Sequence, residues 1–267
     1  MKRKLLLSFT LLLTLFVGSS CDENGEVHLF SIEKDIDLGK QVAEEIANNP
    51  SEYPILKEGE YPEAYSYLRG ILAEVLESDD IKYKDKFAYE QIKIINKDDV
   101  LNAFCTPGGY IYVYTGLIKY LDSEDHLAGV IGHEIAHAEK RHSIDQLERS
   151  MGIQVLLDIV LGQDRGQIAD VLAGVVSLKF SRNQEAEADE FSVKYLSPSV
   201  YQCNGAAGFF QKLLNEGQSS GTPEFLSTHP SPDSRVEDIN SLATEIGCNK
   251  SPSEIDYQTF KSMLPQQ

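Results

Sequence analysis

The fold turns on residues 123–148, SEDHLAGVIGHEIAHAEKRHSIDQLE, and within them on His133-Glu134-Ile135-Ala136-His137. Leu127, Ala128, Val130 and Ile131 precede the five residues, Ala138 follows them, and no proline interrupts, so the spacing predicts one long helix. Residues four apart on a helix project about 40° from one another. His133 and His137 therefore point the same way one turn apart, as two imidazoles closing on one divalent ion require. Glu134 stands beside them, where a carboxylate reaches a metal-activated water without being a ligand itself. This is the HExxH arrangement of zinc peptidases. Gly129 and Gly132, three apart, would let another backbone approach the helix closely.

Two histidines do not complete such a site, and the third ligand sets the class. A metzincin would carry glycine at 140 and histidine at 143, whereas this chain has Lys140 and Ser143. A second helix must supply the ligand, and residues 181–196, SRNQEAEADEFSVKYL, offer one. Glu185 and Asp189 are again four apart. Glu185 would complete a His₂Glu set, and Asp189 would accept a hydrogen bond from the free ring nitrogen of a ligating histidine. Glu187 and Glu190 are also compatible with a merely solvated acidic face. The two motifs, in this order, favour the metal site.

Residues 1–20, MKRKLLLSFTLLLTLFVGSS, combine a basic start, an apolar run and small residues, the pattern of a signal peptide. Cys21 follows directly, as in a lipoprotein acylated on that cysteine; a plainly secreted chain is the alternative. Residues 21–35 read as a polar tether, 36–250 as one peptidase-sized domain and 251–267 as a tail. The formal charge of −18 argues against nucleic acid and against electrostatic docking on anionic lipid, leaving the N-terminal lipid as the membrane attachment.

Elsewhere apolar spacing predicts helices over 37–48, 62–78, 151–161, 166–179, 204–215 and 232–246, with a short one near 257–263. Residues 87–96 alternate as a strand, and 102–118 form a hairpin turning at Pro107-Gly108-Gly109. The fold class is α+β, mostly helical, with a small sheet beside the HExxH helix. Tyr110, Ile111, Tyr112, Val113 and Tyr114 are the candidate edge strand for holding an extended substrate by its backbone; an ordinary buried hairpin is the alternative. His229, in THPSPDSR, is the one further histidine that stands out, although a lone loop histidine is more often a surface residue. Of the cysteines left if Cys21 is acylated, Cys203 and Cys248 lie in polar segments and suit a disulfide closing a loop of about 46 residues.

Taken together, HEIAH at 133–137, EAEAD at 185–189, NAFCTPGGYIYVYTGL at 102–117 and THPSPDSR at 228–235 resemble one family. It is the gluzincin zinc metallopeptidases of the CaaX prenyl protease, HtpX and BepA-like kind, peptidase family M48. The resemblance implies a zincin-like fold, one Zn²⁺ on His133, His137 and Glu185, and Glu134 as catalytic base. It also implies that His229 and Arg235 lie at the cleft, the histidine either assisting catalysis or latching the metal. It further implies an endopeptidase acting on extended or misfolded segments of cell-envelope proteins, in the periplasm or at the cell surface. A zinc-binding chaperone-like or regulatory lipoprotein is the alternative.

Overall fold

The computed structural model describes residues 20–21, 27–28, 30–162, 165–216, 224–230, 234–253 and 257–266. The expected signal peptide, apart from Ser20, and residues 22–26 and 29 of the expected tether lie outside the described residues. In chain order, β1 (Ser20–Cys21) pairs antiparallel with β2 (Val27–His28), followed by α1 (Ile32–Asn48) and α2 (Pro62–Leu76). A small sheet then holds β3 (Lys93–Ile95), β4 (Ala103–Cys105) and β5 (Ile111–Tyr114). The helices α3 (Thr115–Tyr120), α4 (Glu124–Glu139), α5 (His142–Met151), α6 (Ile153–Val160) and α7 (Ile168–Ser177) follow. The chain closes with α8 (Arg182–Leu196), α9 (Gly205–Glu216), α10 (Glu224–Thr228), α11 (Arg235–Glu245) and α12 (Tyr257–Ser262). The protein is α+β and mostly helical, with a zincin-like arrangement of helix and small sheet.

α4 is the central element. The Ser123 hydroxyl accepts from the His126 N–H at its start, and Glu124 and Asp125 face the positive end of the helix dipole. Every residue from Leu127 to Glu139 is buried, so the helix is covered all round. A Cβ on Gly129 would stand 2.1 Å from the Ala206 nitrogen of α9, and one on Gly132 3.1 Å from Ser192 Oγ of α8. The Ser192 hydroxyl uses that closeness to donate to the Gly129 carbonyl at 2.8 Å. α8 is started by a full capping box between Ser181 and Gln184.

The long helix expected over 123–148 is broken. α4 ends at Glu139, Arg141 takes a left-handed conformation (φ 58°), and α5 starts afresh at His142. Nothing local demands this, since arginine is a good helix former. The cause is long-range: the buried Arg141 guanidinium donates to both oxygens of Asp35, at 2.7 and 2.8 Å, and to the Phe30 carbonyl. The same contacts revise the N-terminal boundary. Phe30 and Asp35 are buried and α1 begins at Ile32, so packing starts near residue 30 instead of 36. At the other end the expected tail is docked, with Phe260 stacked on Tyr67 at 4.5 Å and Tyr257 and Leu264 buried.

A second correction concerns the sheet. Its order is β3-β5-β4, with β5 parallel to β3 and antiparallel to β4. Ile111, Tyr112, Val113 and Tyr114 are therefore the central strand and Tyr110 leads into it, so none of the five offers a free edge. The strand beside α4 is β4. Tyr114 N–H bonds to the Asn102 carbonyl and Thr106 N–H to the Tyr110 carbonyl, so the backbone groups of Ala103 and Cys105 turn away from β5; the Cys105 N–H goes to Glu134 of α4 and the Ala103 N–H to Asn102 Oδ1. Side chains alternate as the pleat requires: Ala103, Cys105, Ile111 and Val113 join the α4 core, and Phe104, Tyr112 and Tyr114 a second core under α1, α5, α6 and α7.

Candidate metal centre

α4 and α8 pack side by side, and their HExxH and EAEAD motifs meet. One nitrogen each from His133, His137 and His229 and one carboxylate oxygen of Glu185 lie within 4.8 Å of one another. His133 Nε2 and His137 Nε2 are 3.0 Å apart, and Glu185 reaches them at 3.6 Å (Oε2) and 3.4 Å (Oε1). His133 Nδ1 lies 2.9 Å from Asp189 Oδ1. A carboxylate only accepts, so His133 carries its hydrogen on Nδ1 and turns a bare Nε2 to the cluster. Burial holds the pKa of His133 low, and that of His137 well below the usual value, so both rings favour the neutral, metal-binding form.

The donor set fits a divalent cation. Neutral imidazoles and a carboxylate converge from two helices on one point, all of them buried. Burial opposes ionisation of Glu185, but His229, with its Nδ1 on Oε1, outweighs it and holds the carboxyl far below the usual range. Asp189 is likewise held ionised against burial by Arg235 and His133. Arg235, at the start of α11, contacts Asp189 at 2.5 and 2.7 Å and Glu185 Oε2 at 2.8 Å.

Glu134 stands apart from the donors. Its Oε2 accepts the Cys105 N–H from β4 at 3.1 Å, while Oε1 has no hydrogen-bond partner and lies 3.5 Å from His229 Nε2. Burial pushes its pKa up to about 7, and a cation in the cluster would draw it down again. His229 is not a surface residue. It is 1% exposed, stacks on Phe225 at 4.3 Å, and places Nδ1 3.0 Å from Glu185 Oε1 and 3.3 Å from His133 Nε2. The segment carrying it is pinned at both sides, Phe225 N–H to the Leu101 carbonyl and Phe180 N–H to the Thr228 carbonyl.

The Peptidase family M48 profile matches residues 62–243, the span from α2 to α11. The chain belongs to peptidase family M48. Among its M48 relatives, the beta-barrel assembly-enhancing protease of Yersinia pestis is 32% identical over 185 residues, 64% of this chain and 38% of the relative. The mitochondrial metalloendopeptidase OMA1 of Schizosaccharomyces pombe is 31% identical over 168 residues, 61% of this chain and 50% of the relative. Metalloprotease YcaL of Escherichia coli is 30% identical over 156 residues, 55% and 59% of the two chains. The chain thus matches between about two-fifths and three-fifths of the length of these relatives.

The structure brings His133, Glu134, His137, Glu185, Asp189, His229 and Arg235 into one buried cluster and leaves Tyr110–Tyr114 outside it. It joins Cys203 to Cys248, with Cα atoms 6.2 Å apart. Only the backbone of Cys21 is described. Among the described residues no helix is long and apolar enough to cross a membrane. Sequence reasoning missed the Cys105 N–H on Glu134, the Phe180 ring stacked on His137 at 3.9 Å, and His142 on the far side of His137. The first was accessible in principle, because NAFC at 102–105 immediately precedes the turn of the hairpin.

Proposed function

We propose that the protein is a zinc-dependent endopeptidase with His133, His137 and Glu185 as ligands and Glu134 as general base. The observation that carries this is the free Oε1 of Glu134, held beside the ligand cluster by the Cys105 N–H on its other oxygen. Zinc, when bound, supplies a Lewis acid for the scissile carbonyl and for a water. Glu134 takes the proton of that water and delivers it to the leaving amine. β4, the outer strand of the sheet on the α4 side, replaces β5 as the strand suited to align an extended peptide.

His229 makes the observed arrangement a closed one. As a fourth donor it stands where water or a peptide carbonyl has to come, and with every cluster side chain buried a substrate must displace the 224–230 segment. The histidine acts as a latch here and becomes available to the substrate once the segment withdraws. This closure is what favours the second reading, a peptide-binding protein with little turnover. Extended or misfolded cell-envelope proteins are the proposed substrates, reached after export directed by residues 1–20 and anchoring through lipid on Cys21. Casein hydrolysis with and without a chelator tests the function, with zinc content measured on the same samples. Wild type should cleave and Glu134→Gln should hold zinc without cleaving; cleavage by the variant removes Glu134 from the mechanism.

A further inference from the structure

The two histidines of the HExxH motif are supported differently. His133 turns its Nδ1 to the Asp189 carboxylate at 2.9 Å, whereas His137 turns its Nδ1 to the Nδ1 of His142, also at 2.9 Å. Two ring nitrogens in hydrogen-bond contact share one hydrogen, so one ring donates and the other accepts. The far side of His142 decides which. His142 Nε2 lies 3.2 Å from Glu187 Oε2, and Glu187 Oε1 lies 3.2 Å from Lys140 Nζ. The carboxylate only accepts, so His142, with a single ring hydrogen, carries it on Nε2 and presents a bare Nδ1. His137 must then carry its hydrogen on Nδ1, leaving Nε2 bare and facing the cluster. Both rings are buried, at 1% and 2% exposure, and Phe180 lies flat on His137, so water does not compete for these bonds.

We propose that Glu187 and His142 form a relay that fixes the tautomer and orientation of His137, and so act as positioning residues for the metal site. The proposal rests on the zinc-site reading above. It also assigns a consequence to the break after α4. On an unbroken helix, residue 142 would lie about 140° around the axis from residue 137. The left-handed turn at Arg141 brings the ring back, to a centroid distance of 4.9 Å. The EAEAD segment then serves the centre three times: Glu185 as ligand, Asp189 behind one histidine, and Glu187 behind the other through an interposed imidazole.

The test uses the whole chain with His142→Phe and His142→Asn. Phenylalanine keeps ring volume without an acceptor, and asparagine places Oδ1 near the position of Nδ1. Zinc affinity is measured by competition with a chromogenic chelator, and the unfolding temperature of each metal-free protein is measured alongside. Loss of the relay should weaken zinc binding about 10–100-fold in His142→Phe, as for other partners of metal-bound histidines, with His142→Asn within about threefold of wild type. Metal-free unfolding temperatures should agree across the three. Wild-type affinity in His142→Phe overturns the relay, and so does weak binding that asparagine fails to rescue. Should His142→Phe not fold, nitrogen-resolved NMR of the wild-type histidines decides: hydrogen on His137 Nδ1 and His142 Nε2 supports the relay, and hydrogen on His142 Nδ1 overturns it. A wild type that binds no zinc overturns the site reading itself and the relay with it.

Discussion

Arg235 offers the sharpest test of how the centre is held together. Its guanidinium is 2% exposed, meets Asp189 through two contacts at 2.5 and 2.7 Å, and meets Glu185 at 2.8 Å. It also lies 4.0 Å over the Phe210 ring, so Arg235→Met keeps most of the packing and removes the charge. Removing one partner of a buried ion pair leaves an uncompensated charge and costs about 3–5 kcal/mol. For a domain of this size each kcal/mol shifts Tm by about 2–4 °C, so the metal-free variant should melt about 6–20 °C below wild type. Zinc should shrink the deficit, because the ion takes over the charge of Glu185 and leaves Asp189 with His133 alone. Adding Asp189→Leu should restore part of the loss, since deleting both members of a buried pair costs less than deleting one. The assay is thermal unfolding by circular dichroism, in chelator and in zinc. A metal-free Tm for Arg235→Met within about 2 °C of wild type refutes the reasoning, as does a double variant no more stable than the single one.

Glu185→Ala should lose both zinc and peptidase activity, whereas Asp189→Asn should weaken zinc about 10–100-fold and keep turnover in excess metal; metal content after dialysis and casein hydrolysis distinguish them. His229→Ala should raise casein turnover at low substrate while loosening zinc, because it removes the fourth donor that closes the centre. Unchanged kinetics and unchanged metal affinity would return His229 to a packing role. Replacing Cys203 and Cys248 by serine should destabilise the protein by up to about 4 kcal/mol, the chain-entropy value for a loop of this length. Intact mass with and without reductant checks that the bond forms, and chemical denaturation measures its contribution.

The legible part of the centre was the part written in local periodicity. His133 and His137, and Glu185 and Asp189, are pairs four apart, and helical geometry alone puts each pair on one face. What sequence periodicity did not show depends on partners far along the chain. The helix breaks at Arg141 because of Asp35, more than a hundred residues earlier. The hairpin at 102–118 was recognisable from its turn, but β5 becomes central only through parallel pairing with β3, which no local signal encodes. For the same reason the place of His142 against His137 could not be read from helical spacing, which the break at Arg141 interrupts. His229 could be placed at the centre only by family resemblance, since a histidine in a polar loop carries no periodicity.

Charge accounting ties the cluster to its cation more firmly than any single distance. Three buried carboxylates, Glu134, Glu185 and Asp189, face one buried guanidinium, Arg235, while burial keeps the rings of His133 and His137 neutral. With all three acids ionised and His229 neutral, the cluster is left with two negative charges out of contact with water, a costly condition. Protons offer partial relief, and two groups shift in that direction: the Glu134 pKa rises to about 7, and His229, despite its burial, is raised by Glu185 and Glu134. One divalent ion removes the imbalance in full. It would satisfy the bare Nε2 atoms of His133 and His137 and the carboxylate of Glu185, and release His229 from its electrostatic role. An ion that neutralised the pocket would therefore also let Glu134 stay ionised, as its proposed role of base requires, so metal binding and proton transfer would depend on the same charge balance.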